Sequence, residues 1–245
     1  LSTLLSMYLI DKVALPLHIT ILQVVCFVSS LIVIITRQDT LVPANKHDQV
    51  SKSILNDLRK FNFDWMINFG LIFGIMLEFA IGDWSAIFAK ENGGISATWA
   101  PLPFLFFTLF MIIGRVSITP LRNRYKITRL VRFGGILAGT SFIIGIWFIH
   151  IFGLAGLIIT FSLAGLGSSF IGPSFLNIAN ARINLPSSIV IGQVSAVNVM
   201  LSWTLKQLIA FVAQFAGLQI ALTIPALLAI SVGLFTKVFK PIPTK

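Results

Sequence analysis

The stretch GLIFGIMLEFAIGDWSAIFAKENGG, residues 70–94, is apolar for most of its length yet carries two carboxylates, Glu78 and Asp83. A water-soluble domain would use such a run as a core helix and leave both acids in solvent. In a lipid bilayer Glu78 lies where an isolated charge is expensive, so it needs a partner or a proton. Composition decides between the two. Hydrophobic residues make up 56% of the chain and charged residues 11%, against about 25% charged in a soluble domain. So few charges cannot cover a water-facing surface.

A bilayer core about 30 Å thick takes about 20 apolar residues per helical crossing. Runs of that order recur at 17–36, 65–88, 98–118, 130–149, 154–176, 190–214 and 218–239, and residues 1–10 read as the tail of one more. They predict an all-α polytopic transmembrane bundle rather than a β-barrel, whose strands would alternate over shorter segments. The chain opens on Leu1 inside an apolar run, so we expect earlier helices to precede it in a longer protein. Its one cysteine, Cys26, leaves no internal disulfide or Cys-rich metal site to consider.

The net charge of +10 is an orientation signal rather than a nucleic-acid footprint. Set the polar loop 37–63 inside and let the connections alternate. All lysines and arginines then fall on the inner side except Lys12, Lys90 and Lys206. This is the positive-inside pattern, with loop 37–63 and the C-terminus cytoplasmic and the bundle in the plasma (cell inner) membrane. The expected organisation is two helical pieces over 1–36, a loop over 37–63, a six-helix bundle over 64–239 and a tail over 240–245.

Residues four apart share a helix face. Gly70, Gly74, Glu78 and Gly82 follow that spacing, a small-residue row that lets another helix approach and turns Glu78 toward protein. Glu78 lies about 20 Å along the helix from Trp65, in the outer half. Asp83 is rotated about 140° from it, near the outer interface, where Trp84 suits an aromatic belt. Two readings of Glu78 are open, a structural hydrogen bond to a neighbouring helix and a protonatable group lining a polar cavity. For Asp83 the plain reading is a solvated helix end.

A second stripe runs along 190–214, where Ser195, Asn198, Ser202 and Lys206 fall within about 40° of one another. Such a face suits a water-filled substrate cavity, with Gln207 on its border and Asn177 near the inner end of the preceding helix. Lys206 has the alternative of snorkelling to the outer surface. Gly165, Gly167, Ser168, Ser169, Gly172 and Pro173 predict close packing and a kink where Pro173 lacks its N–H.

The segment GRVSITPLRNRYKITRLVRFGG, 114–135, resembles the loop between helices eight and nine of the major facilitator superfamily, G-R-x-x-x-D-x-L-x-x-R-[FY]-G. Gly114, Arg115, Leu121, Arg124 and Tyr125 match, while Thr119 replaces the Asp and Lys126 the Gly. EFAIGDWSAIF resembles the E-G-x-x-x-D-W-S-A stretch of helix seven in a bacterial, sugar-permease-related branch. Glu78, Asp83, Trp84, Ser85 and Ala86 match, with Phe79 in place of Gly. A G-P-x-x-x-G motif frequent in helix eleven is replaced by LKQLIA, 205–210. The resemblance implies the C-terminal half of such a transporter plus about one and a half helices of the N-terminal half.

What it implies further is secondary active, proton-coupled transport of a small solute such as a sugar or drug-like compound by alternating access. Glu78 and Asp83 would then couple protons. Trp84, Ser195, Asn198, Ser202, Lys206, Gln207 and Asn177 would line the cavity. Gly114, Arg115, Arg122 and Arg124 would form the inner gate, with plain topology determinants as the alternative for the arginines. The partners implied are protons, a small-molecule substrate and lipid; no cofactor, metal or nucleic acid is indicated, and the protein is expected to be monomeric. A truncated, transport-inactive fragment or a membrane scaffold is the competing reading. An enzyme is disfavoured, since His18, His47 and His150 are scattered and no HExxH or GxSxG occurs.

Overall fold

The computed structural model describes residues 64–182 and 187–239, together with Val24 and Val28. The chain divides into two compact units, residues 1–61 with 97–99, and residues 62–96 with 100–245. The helices below all belong to the second. The expected segments 1–36, 37–63 and 240–245, and with them Cys26, lie outside the described residues, Val24 and Val28 apart.

Six stretches are long and apolar enough to cross a membrane, and no strand occurs among the described residues. In order they are α1 Trp65–Glu91, α2 Leu102–Arg124, α3 Ile127–Trp147, the broken pair α4 Ile149–Ser168 and α5 Ile171–Arg182, α6 Ser187–Ala216, and α7 Leu218–Ser231 continued by a 3₁₀ segment Val232–Phe239. The all-α membrane bundle read from composition is what the chain forms.

Start and stop signals explain several boundaries. Asp64 caps α1, its Oδ1 accepting from the backbone N–H of Met66 at 2.9 Å and of Ile67 at 3.2 Å. Pro103 stands in the first turn of α2, where a missing N–H breaks no helical bond. A single glycine, Gly217, joins α6 to α7 with φ +87°, a left-handed conformation that disfavours any side chain.

Helix α1 packs against α2, α4, α5, α6, α7 and the 3₁₀ segment. Two buried layers surround it. Phe88, Phe107, Phe142, Leu157 and Phe161 fill the layer around its C-terminal part, and Ile67, Leu71, Val131, Ile171, Phe175 and Val190 that around its N-terminal part. With little hydrophobic gain available between helices in lipid, close backbone approach carries the packing. Gly134 of α3 and Gly167 of α4 face each other so closely that a Cβ built on either would lie 2.5 Å from the other's carbonyl oxygen. Large apolar side chains point outward instead, among them Ile112 and Val116 on α2 and Met200, Trp203 and Phe215 on α6. That inversion of a soluble fold suits a lipid solvent.

Two expectations need correction. The run 154–176 is not one helix kinked at Pro173. The helix breaks earlier, at Ser169–Phe170, and Pro173 falls in the first turn of α5, where no intrahelical bond is lost. The hydroxyls of Ser168 and Ser169 bond back to the carbonyls of Gly165 and Leu166, at 3.3 and 2.6 Å, offering the backbone an alternative to the helical ladder. The second correction concerns 114–135, read as a loop. Helix α2 continues through Arg124, and only Tyr125 and Lys126 separate it from α3.

Candidate functional site

Two glycines of the α1 row, Gly70 and Gly74, pack closely as their spacing predicts, whereas Gly82 is exposed. A Cβ at Gly70 would collide with the Phe175 ring and one at Gly74 with Ile171, so α5 lies directly on this face. Glu78, next along the row, stands equidistant from the two ends of α1 rather than in its outer half. Its side chain is 17% exposed, and its Oε2 meets Arg115 Nη2 of α2 at 3.5 Å. The other oxygen, Oε1, is buried with no hydrogen-bond partner among the described residues.

Arg115 is therefore not a rim residue. Nine further residues of α2 follow it, which is about 13 Å of helix. Gly114 explains how it gets there, because a Cβ at that position would collide with Ser169 at the α4–α5 break. The guanidinium is 46% exposed on its side chain; Glu78 and the sulfur of Met111, also at 3.5 Å, are its hydrogen-bond partners.

Arg115 faces a cavity of about 380 Å³ between α1, α5 and α6. Leu71, Ile75, Phe79, Pro173, Leu176 and Val199 make apolar walls, and Ser195, Asn198 and Ser202 bring the polar stripe of α6 into it. Arg115 is the one charged group among the described residues lining it. Glu78 is not among the lining residues. Ser202 already donates to the carbonyl of Val199 at 2.9 Å. Asn198 donates to Asn68 Oδ1 at 3.2 Å and to the carbonyl of Val194 at 2.9 Å, tying α6 to α1. Its own Oδ1 is buried and without a hydrogen-bond partner among the described residues.

The remaining candidates are dispersed. Lys206 neither lines this cavity nor reaches the surface alone. Its Nζ pairs with Asp83 Oδ2 at 2.8 Å and stands 4.8 Å from the ring of Phe79. Asp83 is thus an ion-pair partner of α6 rather than a bare helix end. Trp84 packs against both the large core and the small cluster of Met76, Ile209 and Ala221. Asn177 joins Arg122, Ile127 and Ser174 around a separate cavity of about 160 Å³. Gln207 borders a shallow groove with Phe211 and Gln214. Arg124 is exposed at the end of α2.

Sequence reasoning missed Asn68, because one polar residue beside Trp65 carries no period. It also missed the clasp at that end of the bundle, where Arg182 Nη1 of α5 meets the capping Asp64 Oδ2 at 3.7 Å. Arg132 of α3 is held by a hydroxyl instead, its Nε donating to Thr236 Oγ1 at 2.7 Å. Among the described residues no group of three or more His, Cys, Asp or Glu is placed to hold a metal ion.

The chain is similar to an uncharacterized MFS-type transporter of Yersinia pestis, with 25% identity over 171 residues that cover 69% of this chain and 44% of that protein. The chain thus spans less than half the length of this curated relative. No protein-family model matches the chain, and no solved structure does. The six membrane-length helices and this relative agree with the resemblance carried by the two motifs.

Proposed function

We propose that the chain is the C-terminal half, with part of the N-terminal half, of a secondary active transporter that moves a small solute by alternating access. The observation that carries this reading is the Glu78–Arg115 pair in mid-bundle, bordering a cavity into which α6 turns two hydroxyls and an amide. Ionisable residues held at that depth mark substrate or proton pathways more often than packing. The similarity to an MFS-type transporter supports the same class and does not favour a transport-inactive scaffold or an enzyme.

Glu78 is the proton-coupling group in this reading. Protonation removes its charge and releases Arg115, so two protonation states favour two arrangements of the same helices. Only such differential stabilisation shifts an equilibrium between conformations. The basic ends of α2, α3 and α5 face the cytoplasm, and Arg122 and Arg124 belong to the inner gate. Asp83 and Lys206 hold α1 and α6 together beyond the cavity.

The test is reconstitution of the full-length protein in vesicles enclosing a pH-sensitive dye, screened with sugars, small acids and amphipathic drugs. Substrate-driven proton movement is expected in the wild type and lost in Glu78→Gln, with substrate exchange retained. An E78Q protein that transports at the wild-type rate with an unchanged pH profile overturns the assignment.

A further inference from the structure

We propose that the cavity binds an amphipathic organic carboxylate, whose anionic end takes Arg115 when Glu78 becomes protonated. The inference rests on the transporter reading above and names the substrate class of the same site.

Among the described residues the one charged lining group is cationic, and Glu78, its partner at 3.5 Å, is not part of the lining. A cationic ligand entering here meets a guanidinium and, among the described residues, no lining acid. A neutral polar ligand finds Ser195, Asn198 and Ser202, yet most of the surface it would touch is apolar. A carboxylate carried on an apolar body fits both features, with the body along Phe79 and Val199. Arginine offers five N–H donors in a planar fork that matches a carboxylate in two parallel bonds. Its present contact with Glu78 is a single one at 3.5 Å, which is long for a charge-assisted bond. The fork is occupied but not saturated.

The groups around Glu78 allow one exchange. Of the elements packed on α1, α7 carries no charge, and the charges of α4, α5 and the 3₁₀ segment are His150, Arg182 and Lys237 near their ends. Helix α6 carries Lys206, already paired with Asp83, and α2 carries Arg122 and Arg124 toward its end. Among the described residues Arg115 is the charged group that meets Glu78. With Glu78 ionised the pair is neutral and an incoming anion competes with it. With Glu78 protonated, Arg115 has an unbalanced charge beside an apolar wall, where an anion is bound most strongly. Binding of the anion and uptake of one proton therefore reinforce each other, and affinity rises as pH falls.

Isothermal titration calorimetry on the full-length protein in detergent tests this, with 3-phenylpropionate as the probe. Its amide and the corresponding primary amine serve as neutral and cationic counterparts. Titrations at about pH 6 and about pH 8 keep the probe ionised. The carboxylate is expected to bind more tightly at the lower pH, with net proton uptake measured in buffers of different ionisation heat. Glu78→Gln should make binding pH-independent and as tight as the wild type at low pH. Because Arg115→Gln alone strands a buried acid, the decisive variant is E78Q combined with R115Q. It should bind about tenfold to hundredfold more weakly than E78Q, the range expected for a lost charged hydrogen-bond pair. No carboxylate binding, equal binding of the amide or amine, or an R115Q-containing double variant matching E78Q overturns the proposal. If E78Q abolishes proton-driven transport while the carboxylate fails to bind, the transporter reading survives and this inference does not. If the carboxylate binds through Arg115 but E78Q transports normally, the coupling assignment fails and this site stands.

Discussion

Replacing Gly167 with alanine isolates the steric term that holds α3 against α4. The added methyl would lie 2.5 Å from the carbonyl oxygen of Gly134 and 2.6 Å from the amide nitrogen of Ala138. Both are backbone atoms, so no rotamer change relieves the collision and the helices themselves must part. Overpacking of this kind costs about 1–3 kcal/mol, and a clash with two backbone atoms of α3 belongs at the upper end. Against it stands the gain from alanine over glycine in a helix, about 1 kcal/mol. Gly192→Ala supplies the control, since nothing lies within 4 Å of a Cβ there and the residue is also helical. The difference between the two variants cancels the helix preference and leaves the contact alone, about 2–3 kcal/mol. Reversible denaturation of the full-length protein in mixed micelles, followed by tryptophan fluorescence, measures it. G167A is expected to fall below the wild type and G192A to match or exceed it. Equal stability of the two variants would refute the claim that backbone contact at Gly134 and Gly167 holds this interface.

Three further outcomes follow from named contacts. Asp64→Ala should cost about 1 kcal/mol for the lost N-cap of α1, and Asp64→Asn, which caps but does not pair with Arg182, should recover most of it in the same denaturation assay. Pro173→Ala should change stability by less than about 0.5 kcal/mol, as for a change away from any special feature, since position 173 lies in the first turn of α5; a larger loss would return the bend to the proline. Asp83 and Lys206 are both more than a third exposed, so K206A should cost at most about 1 kcal/mol. The charge swap D83K with K206D should restore the loss, and a swap less stable than either single variant would argue against the pairing.

The helices were legible because lipid imposes a length: α1, α3 and α6 begin and end within three residues of their apolar runs. What escaped was whatever depends on how one helix is turned against the next. The α4–α5 break lies in a stretch whose glycines, serines and proline all permit a bend, and composition does not choose among them. Arg115 was grouped with the inner basic residues because the motif runs directly into them, yet α2 stays helical for nine residues beyond it. The stripe on α6 was real as a stripe, but only Ser195, Asn198 and Ser202 reach the cavity. Lys206, about three turns past Ser195, is diverted by an acid on another helix.

That diversion follows from the angle between the two acids with which the sequence first presents itself. Five residues separate Glu78 from Asp83, so at 100° per residue they leave α1 about 140° apart and cannot meet the same neighbour. Glu78 finds Arg115 on α2, and Asp83 finds Lys206 on α6. Each pair neutralises a cation that would otherwise stand in the membrane without a counterion, since Lys206 is the one charge in the length of α6. Phe79 lies beside both, lining the cavity and carrying Lys206 over its ring. With both pairs closed these four groups carry no net charge. The two acids differ in what they hold: Asp83 pairs with a lysine that does not line the cavity, whereas Glu78 pairs with an arginine that does, and in the proposed reading it is therefore the proton at Glu78 that changes what the cavity can hold.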